Sequence, residues 1–65
     1  MPKFPDVTSR LVGEDGNVFN IIGIVSRDLK RAGHIQEAKE FSEKCMNASS
    51  YDEVLQISMD YVEVE

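Results

Sequence analysis

Asn17-Val-Phe-Asn-Ile-Ile-Gly-Ile-Val-Ser-Arg-Asp-Leu-Lys-Arg-Ala-Gly33 is the stretch on which the fold turns. Read as a helix, it places Val18, Ile22, Val25, Leu29 and Ala32 at spacings of 4, 3, 4 and 3, the stripe of an amphipathic rod, with Phe19 and Ile21 beside it. Asn17 is a favoured N-cap residue. Glu14 and Asp15 stand near the positive end of the helix dipole, and Arg27, Lys30 and Arg31 fall in the last turns, where cations are favoured. Gly33 supplies a C′ stop. The competing reading takes residues 18–25, rich in β-branched side chains, as a strand and GEDGN as a hairpin loop. The helix is preferred because its cap, its charges and its stop agree with its period. On its wheel Ile24 projects away from the stripe, among Asn20, Asp28 and Arg31.

Working outward toward the N-terminus, Gly13 and Gly16 are expected to adopt positive φ on either side of a tight connection. A phosphate cradle is not indicated: the spacing is neither GxGxxG nor GxxxxGK[ST], and Glu14 and Asp15 would repel an anion. Glu14, Asp15 and Asn17 also lack the alternating oxygens and closing Glu of a calcium loop. Residues 7–12 read as a short strand with Val7, Ser9 and Leu11 on one side of its pleat, after an irregular lead-in containing Pro2 and Pro5. A strand needs a partner, and three are available: Tyr61-Val-Glu-Val-Glu65, residues 17–24, or another subunit.

Toward the C-terminus a second helix is expected over residues 35–47. Ile35, Ala38, Phe41, Cys45 and Ala48 share one face, and Glu37, Lys39, Glu40, Glu43 and Lys44 lie mainly outside. Glu40 precedes Lys44 by four, the better orientation for such a pair. Ser50-Tyr-Asp-Glu53 fits a capping box and opens a third helix, with Tyr51, Val54, Leu55, Ser58 and Val62 as its stripe and Ile57, Met59 and Tyr61 widening it. Gly23, inside the first helix, costs about 1 kcal/mol relative to Ala, so a close backbone approach or a neighbouring aromatic is expected there. The fold class is therefore α+β and mostly α: a short N-terminal strand, three helices and a short C-terminal strand, in one small domain spanning residues 1–65.

A chain of 65 residues buries only about 60% of its unfolded surface. Cys45 is the sole cysteine, so no disulfide forms within the chain, and Cys45 with His34 falls short of a structural zinc site. The sequence calls for no cofactor. The lone thiol suits a reducing cytoplasm, and MPKFPDVTSR lacks the apolar core of a signal peptide; the expected location is cytoplasmic, with no membrane span. Net charge is −5 and uneven. Residues 1–33 carry five cations against four acids, and residues 34–65 carry two against eight. That acidic half disfavours nucleic acid as a main partner, since phosphate affinity is cation-driven, and disfavours anionic membranes as well.

The remaining chemistry-bearing residues read as structural. His34 and Cys45 lie eleven positions apart, about 16 Å along a helix, too far to pair on that element. His34 is expected at the surface or as a cap, and Cys45 as a core thiol. Glu37, Glu40 and Glu43 share a solvated flank. A helix-turn-helix would offer the groove three acids and two lysines, Glu37, Glu40, Glu43, Lys39 and Lys44. Asn47-Ala-Ser49 is a glycosylation sequon in form only.

The combination GEDGN-x-F-x-I-x-G, a basic helix ending in Ala32-Gly33, and Tyr51-Asp52 resembles small uncharacterised bacterial and phage proteins. The likeness covers most of the chain and is weakest in the middle helix. It implies a cytoplasmic accessory protein and transfers no site residues. From the residues themselves, the expectation is a non-catalytic interaction module, not an enzyme. It would use an apolar surface of Ile24, Ile57, Met59 and Tyr61 toward an unknown protein or a second copy of itself. The alternative is a weak nucleic-acid binder using Arg10, Arg27, Lys30 and Arg31.

Overall fold

The computed structural model describes residues 1–14 and 16–65; the role expected of Asp15 lies outside the described residues. The elements run β1 (Phe4–Ser9), α1 (Val18–Arg31), α2 (Ile35–Met46), α3 (Tyr51–Tyr61) and β2 (Val62–Val64). This is the α+β, mostly helical order read from the sequence. No helix among the described residues is long and apolar enough to cross a membrane.

The first strand takes the C-terminal segment as its partner, in parallel. A parallel pair needs a long crossover, and here all three helices supply it. The register is Phe4↔Val62, Thr8↔Glu63 and Ser9↔Val64, with an irregularity between Phe4 and Thr8. β1 therefore begins earlier than the expected residues 7–12 and includes Pro5. Proline is tolerated because a strand in a two-stranded sheet has an open edge where no N–H is required. The side of the pleat was legible: Val7 and Ser9 are buried and Leu11 packs against the core. The backbone pairing also outlasts the strand, since Glu65 N–H donates to the Ser9 carbonyl at 2.9 Å and Val12 N–H to the Glu65 carbonyl at 3.1 Å.

α1 is the central element, touching β1, α2 and α3. Asn17 is its N-cap, with Oδ1 accepting the Phe19 N–H at 2.8 Å. At the other end Gly33 has φ +91; its N–H donates to Lys30 O at 3.0 Å and the His34 N–H to Leu29 O at 2.8 Å. Those two bonds make a Schellman motif. The buried arc is wider than the stripe alone. Ile21, Ile22, Ile24, Val25, Ser26 and Leu29 are all buried, whereas Ala32, at the C-cap, is exposed.

The glycines divide. Gly13 has φ +81, as expected; a side-chain carbon at Gly16 would lie 3.5 Å from the Tyr51 hydroxyl. Gly23 does not serve a close approach. It is exposed, and nothing lies within 4 Å of where its Cβ would be.

α2 packs through Ala38, Phe41 and Cys45 and is clasped to α1 by the Ser26 and Ser42 hydroxyls, 2.6 Å apart. Ile35, expected on this face, is exposed because it is the first helical residue, beside the Gly33 turn. α3 opens on the predicted cap: Ser50 Oγ accepts the Glu53 N–H at 3.1 Å. The returning arm differs by one residue. Glu53 Oε2 accepts from the Ser49 N–H at 3.3 Å and its hydroxyl at 3.2 Å. Val7, Ile21, Ile22, Val25, Leu29, Ala38, Phe41, Cys45, Val54, Tyr61 and Val62 form one core under the sheet and helices.

Candidate interaction surface

The four residues expected to form an apolar surface do not form one. Tyr61 is 1% exposed and Ile24 8%; Ile57 is half-buried against the core, and Met59 alone stands out at 46%. The reasons are tertiary. Ile24 shares a helix face with Asp28 four residues on, and Asp28 is not a solvent marker: its Oδ2 accepts the buried Ser9 hydroxyl of β1 at 2.8 Å. The sheet therefore reaches the flank of α1 that carries Ile24. Tyr61 ends α3 immediately before β2, with its ring edge-on to Phe41 at a centroid distance of 5.4 Å. Its hydroxyl donates to the Glu40 carboxylate, while Lys3 and Lys44 place their ammonium groups 4.6 and 5.3 Å from the ring centroid. That hydrogen bond, with Lys3 and Lys44 adding a smaller attraction, holds the Glu40 carboxyl below its ordinary value.

Three exposed apolar side chains converge elsewhere, at the corner where α1 begins, α2 ends and α3 begins, whereas Met1, Val12, Ile35 and Met59 are exposed outside it. Phe19 is 69% exposed, Met46 63% and Tyr51 42%. They rim a groove of about 310 Å³ whose remaining walls are Val18, Cys45, Ala48, Ser49, Ser50 and Val54. Local chemistry explains the placement. The Asn17 cap fixes the first turn of α1 and so the direction of Phe19. The turn after Met46 is closed by Ala48 N–H donating to Cys45 O at 3.1 Å, and the Ser50 cap sets Tyr51 as the first residue of α3. Cys45 forms part of the floor, only 3% exposed, and burial pushes its thiol up to about 11. A cavity of this size lies at the lower end for ligand pockets and suits one or two large apolar side chains.

A second depression, of about 370 Å³, lies on the outer face of α2 between Gln36, Glu37, Lys39, Glu40 and Glu43. It is larger, but its walls are polar and mostly charged side chains, with no apolar residue among them. No group of three or more His, Cys, Asp or Glu among the described residues is placed to hold a metal ion.

The other sequence candidates are dispersed among structural contacts. His34 Nε2 meets Asp6 Oδ2 at 3.1 Å, and the His34 ring packs at a tilt on Phe4 with centroids 4.4 Å apart. Arg10, Arg27, Lys30 and Arg31 are all exposed, with Arg27 turned to Asp28 at 3.3 Å. The sequence reading set Phe19 beside the stripe of the first helix and Tyr51 on that of the third, and passed over Met46. The available signal was that each lies in a terminal turn, where fewer elements cover a helix.

The chain matches no protein family, and comparison with curated proteins and with solved structures finds no significant match.

Proposed function

We propose that this protein is a non-catalytic interaction module and that the groove between Phe19, Met46 and Tyr51 is where it holds its partner. The observation that carries the reading is the convergence of three large exposed apolar side chains on one concavity. Contiguous exposed apolar area marks association surfaces, whereas scattered single residues need no explanation. The reading differs from the sequence expectation in its residues, not its class: the surface moves from Ile24, Ile57, Met59 and Tyr61 to the helix ends.

The test is affinity capture from the native host with the wild-type chain and with a Phe19→Asp, Met46→Asp double variant of unchanged circular dichroism. Proteins retained by the first and lost by the second support the groove. Identical retention by both removes it. The nucleic-acid alternative is weaker: its four cations sit on a chain of net charge −5, and Arg27 already faces Asp28. Silence at Arg10, Arg27, Lys30 and Arg31 in a low-salt titration with short duplexes would end it.

A further inference from the structure

We infer that the occupant of the groove is a basic segment of another protein: one or two large apolar side chains to fill the cavity, flanked by lysine or arginine. This rests on the groove being the interaction site and adds the chemistry of what it takes. The apolar anchor follows from the walls described above. The positive flanks follow from the charges around them. Glu53 reaches the groove wall itself, its carboxylate accepting from both Ser49 groups at 3.2–3.3 Å. Asp52 adjoins Tyr51 and is exposed. The nearest cation in sequence, Lys44, points away, with its ammonium 5.3 Å from the Tyr61 ring. An apolar floor inside an acidic rim favours a partner of opposite charge, chiefly through encounter rate and selection among partners.

The same charges disfavour a second copy of this chain as the occupant. A standard interface covers about 800 Å² per partner, roughly a fifth of the 4152 Å² surface here. A symmetric pair of that size centred on the groove would press the acidic first turn of α3, with Asp52 and Glu53, against its equivalent.

The test uses the ¹⁵N-labelled full chain and two short peptides with the same central Leu-Phe pair, one flanked by lysines and one by glutamates. The lysine-flanked peptide is expected to shift the amides of Phe19, Cys45, Met46 and Tyr51 and to bind about tenfold tighter than its counterpart at low salt, an advantage that fades near about 0.5 M salt. An Asp52→Asn, Glu53→Gln variant, in which Gln keeps the capping hydrogen bond without the charge, is expected to lose most of that advantage. Equal binding of the two peptides in the groove overturns the basic-segment inference and leaves the groove standing. Shifts confined to Glu37, Glu40 and Glu43, or no shifts with either peptide, overturn both. Groove shifts that depend on protein concentration alone make a second copy the occupant and overturn the inference.

Discussion

The Tyr61 hydroxyl, at the end of α3, donates to the carboxylate of Glu40 on the outer side of α2. One residue is buried and the other exposed, so the bond joins the core to the surface through a single ring. Tyr61→Ala should cost about 3–5 kcal/mol, the range for removing a buried aromatic side chain. Tyr61→Phe should lose far less, because the ring contacts to Phe41 survive and the Glu40 carboxylate regains water. Denaturant melts of the two variants decide it; equal losses would mean that the hydroxyl, not the ring, is the element that matters.

The same pair sets a response to alkali. Burial first, and then the Glu40 hydrogen bond and charge, hold the Tyr61 phenol above its ordinary value of 10.0. The folded state thus keeps its proton at pH values where the unfolded chain loses it. That contribution is fully present below the unfolded value and is lost as pH rises through the higher folded one. Wild-type stability should therefore fall above pH 10 more steeply than that of Tyr61→Phe. Parallel alkaline limbs in melts of the two proteins would exclude Tyr61 as the cause.

Two glycines of similar appearance in sequence should respond oppositely to alanine. Gly23 is helical, exposed and has open space at its Cβ position, so Gly23→Ala should stabilise by about 0.5–1 kcal/mol. Gly33, at φ +91 in the α1–α2 turn, should lose roughly 1–2 kcal/mol as alanine. Thermal melts of the two single variants check both signs.

Phenylalanine position should matter more than phenylalanine size. Phe41 is fully buried and Phe19 mostly exposed. Phe41→Ala should cost about 3–5 kcal/mol, and Phe19→Ala should stay within about 0.5 kcal/mol, as surface changes do. A large loss at Phe19 would show that the rim of the groove is structural.

Cys45 should resist modification while the fold is intact. Its thiol is buried and pushed up to about 11, so little thiolate exists near neutral pH and little of it is reachable. Labelling with a chromogenic disulfide reagent should proceed at the rate of opening and accelerate sharply through the denaturation midpoint. Rapid labelling in native buffer would contradict that burial.

Features decided within a few residues were legible before the fold was known. The Asn17 and Ser50 caps, the Gly33 stop and the apolar faces around Val25, Phe41 and Val54 depend on neighbours up to four positions away. The inward side of β1 was legible too, because period-two patterning fixes it. Ile24 and Tyr61 were not, since their burial depends on where a strand from the far end of the chain lies. Asp28 looked like a mark of solvent until its bond to Ser9 showed that the sheet covers that flank. The groove was hidden for the complementary reason: periodicity locates a stripe along a helix but does not say where its covering partners stop.

The pairing of β1 with β2 also bears on how the chain acquires its shape. Ser9 is made before the three helices and finds Val64 only after all of them. The helix hairpin centred on Gly33 can form from local contacts, but closing the sheet requires a loop that contains all three helices, with its entropy cost. Until Val62–Val64 leaves the ribosome, Val7 and Ser9 lack the strand they pair beside, and a nascent chain halted before that point should remain sensitive to protease across β1.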